Sequence, residues 1–152
     1  MLTQEVKVTT SYVYETEVIW KGERQIEIRT PEAPALDVSS PPEFQGDAGM
    51  WTPETLFVAS VNACFILTFL AIARLSKLDV VSMRASARGK LEKGEGAGYR
   101  ITEIVIKPIL VIQSESERER ARRLLEKAER NCFISNSITA LVRLEPEVVV
   151  SA

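Results

Sequence analysis

The chain contains no histidine and only two cysteines, Cys64 and Cys132. Without histidine, the commonest general base for serine, cysteine or metal-hydrolase chemistry is gone, and two thiols alone do not make a metal site. Any activated nucleophile must then be a thiol whose ionisation is helped by arginine or by a helix N-terminus. A charge excess is missing too: the net charge is -2, which offers no electrostatic footprint for nucleic acid. The opening Met1-Leu2-Thr3-Gln4-Glu5 has no basic stretch leading into an apolar one, so no signal peptide is expected and the chain reads as cytoplasmic. There a stable structural disulfide is unusual, whereas a cycling one is not. The sequence also lacks internal repeats and low-complexity stretches. With 152 residues, 45% of them hydrophobic, it can bury a core as one domain, residues 1–152.

What it does have is Thr55 to Ala73, nineteen residues without a charge, with Cys64 near the middle. Roughly twenty apolar residues span a bilayer. Ser60, Asn62 and Thr68 weigh against that, as do the soluble-type strands and helices around the run, so no membrane partner is expected. A helix apolar on every side is otherwise buried on every side. In so small a domain that calls for a sheet on one flank and a second copy of the chain on the other.

Tyr12 to Trp20 alternates like a strand, Lys21-Gly22-Glu23 turns it, and Ile26 and Ile28 share one face of the return strand with Arg24 at its start. Arg24 either snorkels to water or aims a guanidinium into a site. From Pro31 to Pro53 the chain carries five of its seven prolines, a segment expected to be mobile or a lid. Thr52-Pro53-Glu54 then opens the long helix, with Thr52 as N-cap and Glu54 complementing the helix dipole; the helix is expected to reach Ser76 or Lys77. Val81 to Leu91 reads as a half-buried strand, Gly94 to Gly98 as a hairpin turn, and Tyr99 to Ile112 as a return strand with a bulge or an edge at Pro108. Ser114-x-x-Glu117 is a capping box before a helix with the stripe Ala121, Leu124, Leu125 and Ala128 and with i,i+4 pairs Glu119–Arg123 and Glu126–Arg130. A short helix near Ser135 to Val142 and a strand Leu144 to Val150 close the chain. This order predicts an α+β fold, an antiparallel sheet wrapped around a long buried central helix.

Thr52-Pro53-Glu54, the cysteine ten residues past that glutamate, and Cys132-Phe133-Ile134-Ser135-Asn136 together resemble the osmotically inducible protein C and organic hydroperoxide resistance (OsmC/Ohr) family. The resemblance runs from about Trp20 onward. It implies an intertwined homodimer with sites at the subunit interface, acting as a thiol-dependent peroxidase on organic and inorganic hydroperoxides, with no cofactor and with a dithiol reductant as partner. Carried over, Cys64 is the peroxidatic cysteine, Cys132 the resolving one, and Glu54 the carboxylate that positions a catalytic arginine. Arg24 matches that arginine, with Arg29 nearby as the other candidate. Two departures stand out: Gly49-Met50-Trp51 replaces the family's usual residues before Thr52-Pro53-Glu54, and Phe133 stands where a proline is common.

Burial raises a thiol's pKa, so this reading requires a cation, Arg24, beside Cys64. Phe57, Phe65 and Trp51 are the expected apolar walls. Ten helical residues place Glu54 and Cys64 about 15 Å apart in rise and roughly 80° in rotation. Either the helix starts later, or Glu54 serves the Cys64 of a second protomer. The competing reading is a non-catalytic dimeric domain that binds an apolar ligand and whose cysteines are inert filler.

Overall fold

A computed structural model describes residues 7–152; Met1 to Glu5, where the signal-peptide reading falls, lie outside the described residues. The chain forms two compact units, Met1–Pro53 and Glu54–Ala152.

The first unit is a three-stranded antiparallel sheet, β1 (Glu17–Gly22), β2 (Gln25–Arg29) and β3 (Leu36–Ser39), in that order. β1 begins at Glu17 and not at Tyr12, because Glu17 pairs with Arg29, the last residue of β2, and nothing extends the partner strand further. Tyr12 and Tyr14 are exposed in consequence. The proline-rich segment carries secondary structure of its own. It holds β3, a 3-10 turn at Pro42–Phe44 and a bridge from Val38 to Trp51, with the Ser39 N–H donating to the Trp51 carbonyl at 2.9 Å. The turn closes so tightly that a Cβ on Gly46 would lie 1.5 Å from the Ser40 carbonyl oxygen, so only glycine fits.

The second unit opens with α1 (Pro53–Leu75), where Pro53 supplies the preset φ of a first helical position and Glu54 lies in the first turn. The helix stops at Leu75, followed by Lys77 at φ 57. Then come β4 (Val80–Lys93), β5 (Tyr99–Ile112), α2 (Arg118–Arg130), β6 (Leu141–Leu144) and β7 (Glu147–Val150). β4 and β5 form a long antiparallel pair, and β6 and β7 join the other side of β5 in parallel. The short helix expected near Ser135 to Val142 is only a 3-10 turn at Ser135–Ser137, and Leu141 and Val142 belong to β6. The strand expected from Leu144 to Val150 is β7, which starts after Glu145-Pro146, where proline has no N–H to continue a ladder.

Pro108 makes neither a bulge nor an edge. It is fully buried in the central strand, between the stretches that pair with β6 (Glu103–Ile106) and β7 (Ile109–Ile112). Its partner across β4 is Ala85, whose carbonyl accepts from Asn62 Nδ2 at 3.0 Å. The bulges fall instead between Val80 and Ser82 and between Lys90 and Leu91. The capping box does not form either. Glu115–Glu117 is a 3-10 turn, the Ser114 hydroxyl meets Ser116, and the Glu117 carboxylate pairs with Arg120. The ion pairs along this helix are at i,i+3 spacing, Glu115–Arg118, Glu117–Arg120 and Glu119–Arg122.

The core lies between the two helices and the sheet. Val61, Phe65, Phe69 and Ala73, every fourth residue of α1, are buried with Ile104, Ile106, Leu110 and Ile112 of β5 and with Ala121, Leu125 and Ala128 of α2. The other face of α1, carrying Ala63, Leu67, Leu70 and Ala71, stays exposed in the single chain. By length and composition α1 is also apolar enough to cross a membrane.

Candidate active site

Cys64 sits at the margin between the two faces of α1. Its neighbours Val61 and Phe65 point into the core, while Ala63 and Leu67 point out, which leaves the Cys64 sulfur half-buried. Four residues further on, one helical turn, the Thr68 hydroxyl approaches that sulfur at 3.9 Å. Cys132 arrives from the opposite direction. The helix α2 ends at Arg130, the Cys132 N–H still donates to the Glu129 carbonyl (3.3 Å), and the chain then turns into a 3-10 turn at Ser135–Ser137. That turn drives the Cys132 side chain into the interior, 0% exposed, with its thiol 4.0 Å from the Val61 carbonyl of α1.

The two sulfurs meet as a directly interacting pair of free thiols. Their environments push them apart. Partial burial raises the Cys64 thiol, but it is overcome by the backbone N–H of Ile134, the Cys132 thiol, the Thr68 hydroxyl and the Phe133 N–H, so Cys64 ionises more easily than an ordinary cysteine. For Cys132, burial dominates and the adjacent Cys64 adds to it. Its thiol is held above the ordinary value although the Ser135 hydroxyl and N–H both face it. The Ser135 oxygen is buried with no conventional hydrogen-bond partner.

Around Cys64 lies an open groove of about 640 Å³ lined by Ser60, Ala63, Leu67, Thr68, Ala71, Asn131 and Phe133. The expected walls are different residues. Phe65 is buried in the core and Phe57 packs against that core, because the helical period turns 57 and 65 toward the sheet when 63, 67 and 71 face outward.

Glu54 stands at the start of the same helix, and its Oε2 is buried without a hydrogen-bond partner. It lines a second groove, of about 430 Å³, with Asn62, Arg88 and Gly89 among its walls; the Asn62 Oδ1 is likewise unpartnered. Because α1 begins at Pro53, the later helix start that would have let Glu54 approach Cys64 does not occur. Arg24 occupies the β1–β2 turn of the first unit, exposed, with its carbonyl accepting from the Ser40 N–H (3.4 Å). Arg29 is engaged by Glu27, whereas none of the ion pairs among the described residues includes Arg24. Among the described residues no cluster of three or more acidic or cysteine side chains could hold a metal ion.

Of the four residues singled out in the sequence, then, the second unit brings Cys64 and Cys132 together and sets Glu54 apart. Thr68, Ser135 and the two backbone amides were not anticipated. The Cys64–Thr68 spacing was legible, but amide direction depends on a turn that composition does not encode.

The OsmC-like protein family model matches residues 46–147. The chain is 26% identical over 136 residues to the Bacillus subtilis protein YmaD, covering 86% of this chain and 89% of that one. Among solved structures, an OsmC-like protein of unknown function from Vibrio cholerae superposes with a TM-score of 0.82 at 24% identity, over 90% of this chain and 99% of the other. An organic hydroperoxide resistance protein from Elizabethkingia anophelis gives 0.75 at 20% identity, over 95% and 100%. These structures share the fold.

Proposed function

Since this chain belongs to the OsmC-like protein family, we propose that it is a thiol-dependent peroxidase that reduces organic, and also inorganic, hydroperoxides through Cys64 and Cys132. The observation that carries this reading is the juxtaposition of two free thiols, one half-exposed in a groove with its ionisation eased by its neighbours, the other buried behind it with its ionisation opposed by burial. An inert pair of core cysteines would give neither an accessible sulfur nor a depressed ionisation.

In this reading the Cys64 thiolate attacks the outer oxygen of a hydroperoxide. The O–O bond breaks, the alkoxide leaves and takes up a proton as the alcohol, and Cys64 becomes a sulfenic acid. Cys132 gives up its proton and attacks that sulfur, a disulfide forms, and the oxygen leaves as water. A dithiol reductant then supplies two electrons and reopens the bridge. The nearly unbroken hydrocarbon of Ala63, Leu67, Ala71 and Phe133 favours alkyl substrates over hydrogen peroxide.

The same reading includes a homodimer. An exposed stripe with Leu67 at 68% and Leu70 at 40% runs alongside the groove, and a second copy laid on it removes that surface from water. Glu54 fits this arrangement as well. Its buried, unpartnered oxygen is an acceptor in want of a guanidinium, and Arg24 is a candidate that no acid among the described residues engages. The site is then completed by a neighbouring protomer, in the cytoplasm, with no cofactor.

The test is peroxide consumption driven by a dithiol such as dihydrolipoamide or dithiothreitol. Wild type turns over, Cys64→Ser is inactive, and Cys132→Ser accumulates a dimedone-reactive sulfenic acid at Cys64. No turnover and no Cys64–Cys132 disulfide after oxidant would leave a binding domain for an apolar ligand as the better account.

A further inference from the structure

Besides Cys64, the polar side chains that line the groove are Ser60, Thr68 and Asn131. The donors of two of them are engaged by their own helices. The Ser60 hydroxyl donates to the Phe57 carbonyl at 2.7 Å, and the Asn131 amide nitrogen donates to the Lys127 carbonyl at 2.8 Å. The Thr68 hydroxyl instead meets the Cys64 sulfur at 3.9 Å. A threonine inside a helix ordinarily bonds the carbonyl four residues back. Here its partner four residues back is a side chain. The helix itself sets that direction, because each Cβ leans toward the N-terminus and brings residue 68 down over residue 64.

Between a thiol and a hydroxyl this is a loose contact in which either atom can be the donor. Ionisation removes the choice. A thiolate has no proton to give, so the bond must then run from the Thr68 hydroxyl to sulfur, and charge-assisted bonds of this kind are shorter and roughly twice as strong as neutral ones. The thiolate is thereby favoured over the thiol, and the same attraction makes its lone pairs less ready to attack. No charged side chain lines the groove. On α1 the nearest are Glu54 and Arg74, each ten residues from Cys64 and so about 15 Å along the helix. Glu129 and Arg130, at the end of α2, line a different groove with Val142 and Leu144, and the titratable group that faces Cys64 from beyond α2 is Cys132.

We propose that Thr68 is a further catalytic residue, whose hydroxyl donates to the Cys64 sulfur as it becomes a thiolate and exchanges some intrinsic reactivity for a larger thiolate population at neutral pH. This rests on the peroxidase reading for its purpose, but not for its measurement. An arginine brought by a second protomer can act on the same sulfur without disturbing the comparison, since the variants change residue 68 alone.

The experiment is the reaction of the full-length protein with dipyridyl disulfide, an uncharged probe, followed by pyridinethione release from about pH 6 to about pH 10. The phase proportional to probe concentration reports attack by Cys64, because Cys132 is 0% exposed and its later attack on the mixed disulfide is intramolecular. Thr68→Val keeps the branched shape and removes the hydroxyl. It should raise the midpoint by about half a pH unit, the weight of one hydrogen bond and about threefold in thiolate. Thiolate nucleophilicity rises by about 0.4–0.5 log unit per unit of pKa, so each thiolate of the variant should react about 1.7-fold faster. The variant is then about twofold slower than wild type at about pH 7 and about 1.7-fold faster at about pH 10, and the two profiles cross. Thr68→Ser keeps the hydroxyl and should follow wild type at both ends. Thr68→Ala should cross as the valine variant does, and it supplies the test should that variant fail to fold. A change of access or packing alone would scale the rate in one direction at every pH. The proposal is overturned if the valine or alanine profile coincides with that of wild type or lies wholly above or below it, or if the serine profile crosses as they do. Peroxide turnover of the wild type, measured separately, decides the peroxidase reading whichever way the profiles fall.

Discussion

Leu67→Asp should separate the protomers. Leu67 points away from the sheet and is 68% exposed in the single chain. Burying a whole leucine side chain contributes about 1.5–3 kcal/mol, so covering this one contributes about 1–2 kcal/mol per protomer. In a twofold-symmetric interface the stripe meets itself, and the residue counts twice, about 2–4 kcal/mol in all. At about 1.4 kcal/mol per tenfold, truncation to alanine alone weakens the dimer on the order of 30- to 1000-fold. Aspartate adds two carboxylates that must lose water without a cationic partner, since the groove residues around position 67 carry no charge. The fold itself should survive, because the buried side of α1 is Val61, Phe65, Phe69 and Ala73. Sedimentation velocity across nanomolar to ten-micromolar protein should show wild type as a dimer of 17.0 kDa chains and the variant as a monomer with an unchanged circular dichroism spectrum. Peroxidase activity should fall with it, if Glu54 and Arg24 complete the site across protomers. Wild type sedimenting as a monomer throughout, or Leu67→Asp retaining the wild-type dissociation constant, would refute the reasoning.

Three further outcomes can be checked. A depressed ionisation leaves more thiolate at neutral pH, so Cys64 should reach half-maximal alkylation below about pH 8.5, the value for free cysteine, and Cys132 above it; coincident midpoints would contradict the asymmetric pair. Gly89→Ala places a Cβ 2.4 Å from Val58 Cγ2 and should cost about 1–3 kcal/mol by urea denaturation, most of it recovered in the double variant Gly89→Ala/Val58→Ala. Leu125→Ala, at a fully buried position of α2, should cost about 2–5 kcal/mol with an unchanged urea m-value.

The α+β architecture was legible because its signals are periodic. The charge-free run from Thr55 to Ala73 with proline and glutamate before it became α1, and the alternation from Val81 to Leu91 became β4. Where the reading slipped, a partner decided the structure. Glu117 pairs with Arg120 and not with a backbone N–H, and Pro108 is tolerated mid-sheet because it falls where pairing passes from β6 to β7 and because Asn62 serves the carbonyl of its partner Ala85. No local propensity reports such choices. Cys64 and Cys132 were legible as a pair through the resemblance, but the environment that separates their ionisation is built of amides and a hydroxyl, groups every sequence contains.

The helix itself supplies the strongest argument about how the remaining residues are used. With α1 continuous from Pro53 to Leu75, Glu54 and Cys64 are fixed about 15 Å apart in rise and on different sides of one rigid rod. No rotamer closes that gap, because a glutamate side chain reaches only a few ångströms. A glutamate that orients an arginine toward a thiolate must therefore do so for the Cys64 of another copy, or through a guanidinium side chain long enough to span the difference. Mixing inactive Glu54→Gln protein with inactive Cys64→Ser protein separates these routes. If Glu54 serves the other protomer's thiol, the heterodimer contains one site with both residues intact, and about half of the molecules formed by random exchange regain one working site. If Glu54 serves its own chain's thiol, every site in the mixture lacks one or the other, and activity stays at the level of the two parents.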